Sequence, residues 1–261
     1  MSTNELETKN QKLSLTTTGG QILTWKVYNS KTSTWQDILY NNGNPKRAGI
    51  PILFPFANPL KDNIFNLTGK EIGQHGFGRN SSWLLESEVT VATLTLSSKT
   101  LDQVWKEAYP FEFEAKIIVD ISTPNQLKYT LQVKNLDPEK TLPIAPGIHP
   151  YFSLLHGQKK HLKSSLTPDI QSVINWDKPS SGNFWDFKHE ANFDLQNFKL
   201  EIFNDAYNPA KNLVIWSQTV DETDHDFVCL EPFCKDTNAI NVDPIWVKDQ
   251  WQCTWKFVVE F

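Results

Sequence analysis

The stretch that decides the fold is Phe111-Glu112-Phe113-Glu114-Ala115-Lys116-Ile117-Ile118-Val119-Asp120-Ile121. Every odd position is apolar, and Glu112, Glu114, Lys116 and Asp120 hold all the even positions but Ile118. Successive side chains of a β-strand point to opposite faces, so this period of two predicts one long strand with a core face and a mainly polar face. Leu127, Tyr129, Leu131 and Val133 repeat the pattern after the turn-like Ser122-Thr123-Pro124-Asn125. Together the two runs read as an antiparallel pair.

The same alternation marks Val89–Leu96, Phe198–Phe203 and Trp255–Phe261. Trp255, Phe257, Val259 and Phe261 share one face, which makes the C-terminal strand integral to a sheet. Leu13–Thr18 and Ile22–Val27 flank Gly19-Gly20 and read as an N-terminal hairpin. No sustained amphipathic helix is visible, and strands do not alternate with helices of ordinary length, which argues against doubly wound and (β/α)₈ folds. The expected class is therefore all-β, a large antiparallel sandwich. Residues 1–11 read as a flexible tail and residues 12–261 as a single domain. The stretch from Thr167 to Glu190 is rich in Pro, Ser and Asp and reads as a long surface excursion. Its Trp176 and Trp185 either overhang a site or pin the loop.

Composition narrows the partners. A formal charge of −5, from 25 basic and 30 acidic residues, fits a soluble protein and speaks against electrostatic binding to nucleic acid. The chain carries 16 Phe, 10 Trp and 6 Tyr but one Met, and aromatic rings suit both a β core and the C–H faces of sugars. Cys229, Cys234 and Cys253 have neither CxxC nor zinc-like spacing, so free thiols in a reducing compartment are expected. The residues after Met1 are polar, and no apolar run is long enough to span a bilayer. The expectation is a cytoplasmic protein that avoids membranes and acts as a monomer or weak homodimer. No GxGxxG, P-loop, HExxH or GxSxG motif is present, and Asp221–Asp226 lacks calcium-loop spacing. Neither a cofactor nor a metal is expected.

Four segments depart from plain β patterning. Arg47-Ala48-Gly49-Ile50-Pro51-Ile52-Leu53-Phe54-Pro55 is too proline-dense for a central strand and reads as a rigid chain along a sheet end, headed by one arginine. In His75-Gly76-Phe77-Gly78-Arg79-Asn80-Ser81-Ser82-Trp83, two glycines permit a tight path that sets His75 and Arg79 around Phe77. His75 could donate a proton or a hydrogen bond, and Arg79 could hold a phosphate or hydroxyl in its fork. His149, in Pro146-Gly147-Ile148-His149-Pro150-Tyr151-Phe152, is either a satisfied core histidine or one held for acid/base work. Glu231 ends an apolar run in Cys229-Leu230-Glu231-Pro232-Phe233. A carboxylate buried there is costly, and burial would raise its pKa toward that of a general base.

These segments, in this order, strongly resemble the aldose 1-epimerase (galactose mutarotase-like) superfamily, and most of all its hexose-6-phosphate mutarotase branch. The correspondence runs from about residue 12 to residue 261. It implies a β-supersandwich and an enzyme that interconverts the α and β anomers of a monosaccharide or sugar phosphate without a cofactor. It also implies roles: His149 as general acid, Glu231 as general base, and His75, Arg47 and Arg79 as substrate contacts. Asp194, in Asn192-Phe193-Asp194-Leu195, is the aspartate chosen for ring hydroxyls. Two departures stand out: Arg47-Ala48-Gly49 replaces the common RGG, and Trp216-Ser217-Gln218 replaces a WNP-like segment. A non-catalytic carbohydrate-binding module is the competing class. A glycoside hydrolase would call for two catalytic carboxylates, and the sequence motivates one.

Overall fold

A computed structural model describes residues 3–178, 180–218 and 226–261. Most of the Asp221–Asp226 run therefore lies outside the described residues. The decisive stretch forms the strand Phe113–Asp120, with Phe113, Ala115, Ile117 and Val119 buried. It pairs antiparallel with Gln126–Asn135, which places Ile117 opposite Leu131 and Val119 opposite Tyr129.

This pair sits within an eight-stranded sheet. From one edge to the other its strands are Lys163–Ser164, Glu190–Asp194, Lys199–Phe203, Gln250–Glu260, Gln126–Asn135, Phe113–Asp120, Val91–Ser97 and Leu84–Ser87, all antiparallel. The C-terminal strand is central, as its apolar face suggests.

A second, six-stranded sheet carries Ser180–Asp186, Asn212–Gln218, Phe227–Phe233, Gly147–Ile148 and Ile52–Leu53, and Tyr151–Ser153 also pairs with Phe227–Phe233. The proline-rich 47–55 segment thus contributes only Ile52–Leu53, at the sheet edge, where missing N–H groups do least harm. The two sheets bury their facing sides in one core. Phe152 lies 5.7 Å from Phe257, and Phe54 lies 5.3 Å from Phe113, ring centre to ring centre. Val228 and Leu230 belong to this core, and so do Leu131 and Trp255. The fold is a large antiparallel β-sandwich.

Two stretches differ from their sequence reading. Thr3–Glu7, within the supposed tail, form a strand paired with Gln11–Thr16 in a four-stranded sheet. Its polar composition conceals it, because Leu6 is its only buried residue. The Thr167–Glu190 excursion contains a short helix, Ile170–Val173, and the strand Ser180–Asp186. Trp176 and Trp185 are buried, and their indole N–H groups donate to Gln171 Oε1 and the Pro168 carbonyl, so both pin the segment to the core. Among the described residues no helix is long and apolar enough to cross a membrane.

Candidate active site

Strand Phe227–Phe233 is buried throughout, yet its two faces differ. Val228 and Leu230 point into the main core. Phe227, Cys229, Glu231 and Phe233 must therefore point the other way. Directly opposed residues of an antiparallel pair share a face, so the register extends this outer surface. Cys229 faces Tyr151 on one side and Trp216 on the other, and Glu231 faces Val214. Two small apolar groups lie along it. One comprises Tyr151, Phe227 and Cys229 with Tyr40 and Trp216 against them, and the other Leu53, Ala57, Val214 and Phe233. Glu231 stands between them in the strand, in its interior and not at the end that the sequence suggests.

His149 reaches the same place from the next strand. Gly147 pairs with Phe233. A Cβ on Gly147 would meet the Pro232 carbonyl oxygen at 2.8 Å, so only glycine lets the chain run this close to Glu231. The His149 backbone N–H donates to the Pro51 carbonyl at 3.0 Å. The imidazole stacks on Tyr151 with ring centres 4.7 Å apart and planes 11° from parallel, and it meets the Trp216 edge at 5.9 Å. Its Nε2 lies 3.4 Å from Glu231 Oε2. Its Nδ1 is buried and has no hydrogen-bond partner among the described residues.

Both groups are pushed toward neutrality. Burial raises the Glu231 pKa well above the ordinary carboxylate range, opposed by the positive charge of Arg79. Burial also lowers the His149 pKa well below its usual value, helped by His75 and Arg79. The neutral pair still holds one proton that can sit on either partner, which suits proton exchange with a ligand placed over both.

His75 forms the third corner, its ring centre 5.7 Å from that of His149 and nearly perpendicular to it. Its backbone is left-handed, with φ of 70°, and Gly76 follows with φ of 69°. A Cβ on Gly76 would come within 2.3 Å of the Phe54 carbonyl oxygen, so the tight path anticipated from the sequence requires glycine there. Phe77 and Gly78 both donate backbone N–H groups to that same carbonyl at 2.9 Å. His75 Nδ1 is bonded to the Ala57 carbonyl. A carbonyl only accepts, so Nδ1 carries the proton and a neutral His75 can only accept at Nε2. Burial brings its pKa to about 4, which favours the neutral ring.

Arg79 lies in a short 3₁₀ turn, Gly78–Asn80, and its guanidinium donates to the Lys46 carbonyl at 3.5 Å. Arg47 ends another, Pro45–Arg47, and its charge acts on Tyr151 and Cys229. The Tyr151 hydroxyl donates to the same Lys46 carbonyl at 3.4 Å. An adjoining surface pocket of about 500 Å³ is lined by Lys46, Gln74 and Arg79.

The sequence signature of aldose 1-epimerases matches residues 2–178. The chain belongs to the aldose 1-epimerase family. The plasmid-borne LacX protein of Lactococcus lactis subsp. lactis is 31% identical over 179 residues, which cover 64% of this chain. The chain spans 57% of the length of that relative. Its fold is shared by a Synechocystis sp. PCC 6803 protein, at 25% identity and a TM-score of 0.83, over 99% of this chain and 96% of that one. It is also shared by a galactose mutarotase related enzyme of Lactobacillus acidophilus, at 20% identity and a TM-score of 0.77, over 100% and 98% of the two chains. The second likeness shows the fold alone.

In this aldose 1-epimerase family member, the structure brings together His149, Glu231, His75, Arg79 and Arg47. It does not bring Asp194 to them. Asp194 ends a strand of the eight-stranded sheet, where its carboxylate accepts the Gln196 N–H at 3.0 Å. It lines a different pocket, with Lys163 and Lys199. Asn192-Phe193-Asp194-Leu195 is thus a strand ending in an Asx turn, a local role that any loose aspartate match can conceal. Tyr151, Trp216 and Cys229 form the walls that sequence reasoning missed. Alternation along Phe227–Phe233 is the signal that could have found Cys229 on the face of Glu231, whereas Trp216 depends on pairing between strands, which no local pattern shows.

Proposed function

We propose that the chain is a hexose 1-epimerase, opening the pyranose ring and reclosing it with C1 inverted. The contact between the buried His149 imidazole and the buried Glu231 carboxyl, at 3.4 Å, carries this reading. Glu231, as carboxylate, takes the proton of the C1 hydroxyl. The C1–O5 bond breaks, its electron pair passes to O5, and O5 takes a proton from protonated His149. C1 becomes an aldehyde carbon, rotates about C1–C2 and is attacked on its other face as the proton transfers reverse. Ring opening leaves Glu231 protonated and His149 neutral, the state that burial already favours. The charge-separated form is discharged by the step itself. Proton transfers of this kind contribute about 10²–10⁴-fold. His75 Nε2 accepts a bond from a sugar hydroxyl, and Tyr151 and Trp216 offer apolar surface to the ring.

A hexose 6-phosphate substrate is the second reading. Lys46 and Arg79 line one pocket, Arg79 acts electrostatically on both members of the pair, and Arg47 acts on Tyr151. Among the described residues none of the three is ion-paired to a carboxylate. An unneutralised guanidinium suits bidentate binding of phosphate.

Exchange NMR on glucose, galactose and glucose 6-phosphate tests both readings. Anomer exchange faster than in buffer alone is expected for at least one sugar. The phosphosugar reading requires kcat/KM for glucose 6-phosphate at least about tenfold above that for glucose. Saturable binding of these sugars without acceleration would make the chain a carbohydrate-binding module instead.

A further inference from the structure

The mechanism leaves one buried group unused. Cys229 lies two residues before Glu231 on the same strand face, and its side chain is fully buried. One donor atom each from His149, Cys229 and Glu231 lies within 4.8 Å of the other two. The spacing of the imidazole and carboxylate donors is 3.4 Å. A tetrahedral zinc ion bound to nitrogen and oxygen at about 2.0–2.1 Å spans about 3.3 Å along that edge. Two of the three positions therefore stand at zinc spacing, and the Cys229 donor lies within 4.8 Å of both.

We propose that His149, Cys229 and Glu231 form an inhibitory binding site for zinc or a similar divalent transition metal. Sulfur, nitrogen and carboxylate oxygen are the donors that such ions favour, and three protein ligands leave a fourth position for water. Binding displaces two protons, one from the Cys229 thiol and one from the Glu231 carboxyl, both of which go to solvent. The resulting thiolate and carboxylate balance the charge of a divalent ion, so the occupied site is neutral and suited to burial. The neutral His149 donates a lone pair. Metal and sugar then compete for His149 and Glu231, and a loaded protein cannot exchange protons with a ring.

The inhibition rests on the roles proposed for His149 and Glu231, whereas the binding does not, so the two are measured separately. Cobalt(II) serves as the optical probe, because a cysteine thiolate on cobalt gives a charge-transfer band in the near ultraviolet. Addition of cobalt to the purified chain should produce that band, and zinc should abolish it by displacement. Cys229→Ser should lose the band, whereas Cys234→Ser and Cys253→Ser should each keep it, which shows that the other two buried thiols are not responsible. Cys229→Ala replaces the serine variant if that one fails to fold. Loss of one ligand should weaken zinc binding by at least about tenfold, since even supporting residues contribute 10–100-fold. In exchange NMR, zinc should suppress anomer exchange, a chelator should restore it, and Cys229→Ser, measured against its own metal-free rate, should need at least about tenfold more zinc for the same fractional suppression. No band, or a band that survives Cys229→Ser, overturns the site. A band accompanied by zinc-insensitive exchange overturns the inhibition. A chain without epimerase activity overturns the proposed function and leaves the site to be judged on the band alone.

Discussion

The two faces of strand Phe227–Phe233 share one backbone and nearly the same burial, yet they serve opposite ends. Leu230 and Glu231 are neighbours, both essentially inaccessible to water. Leu230 joins the main core, where burial stabilises the fold by removing apolar surface from water. Glu231 faces outward among Tyr151, Trp216 and Val214, where burial works against the charged form and raises its proton affinity. Exclusion of water is thus a source of stability on one face and a means of setting proton affinity on the other.

Substitutions one residue apart sharpen that contrast. Glu231→Gln should slow anomer exchange by about 10²–10⁴-fold while leaving the chemical denaturation midpoint near that of the parent. Leu230→Ala should do the reverse, with a loss of about 2–5 kcal/mol in unfolding free energy and a modest change in turnover of the folded fraction. If Glu231→Gln unfolded the chain, or Leu230→Ala alone abolished turnover, the division between faces would collapse.

Acid should expose a second signature of the outer face. His75 has its pKa lowered from 6.5 to about 4 in the folded state. The unfolded chain therefore binds a proton that the folded chain refuses between those values. Stability from this source is complete above pH 6.5 and is lost as pH falls to about 4, by up to about 3 kcal/mol. His75→Asn should flatten this acid limb in denaturation curves taken between pH 7 and 4. An unchanged limb would mean that other groups govern acid unfolding.

The smallest effect is expected far from this strand. Asp194→Asn keeps an acceptor for the Gln196 N–H, so turnover and KM for any sugar should stay within about twofold of the parent. A large rise in KM would restore Asp194 to the site.

What could be read from the chain followed from locality. The period of two over 111–121 gives a strand, because pleating acts between adjacent residues. The glycines and prolines around His75 and His149 signal tight, rigid paths for the same reason. Glu231 betrays itself as a carboxyl in an apolar run. Trp216 does not, because its place beside His149 comes from pairing across strands. Asp194 misled because an aspartate closing a turn and one facing a sugar look alike in sequence. The Thr3–Glu7 strand stayed hidden because it offers one buried leucine to the core.

The pairing of Gly147 with Phe233, and of Tyr151 with Cys229, carries a consequence for how this chain can change length. Loops may gain or lose residues one at a time. Within Phe227–Phe233, a single insertion or deletion would turn Glu231 toward the core and offer an aliphatic side chain to His149, whereas a change of two would keep the faces in place. Relatives that keep the chemistry should therefore vary here only by even steps, so that the site is inherited as a matter of parity.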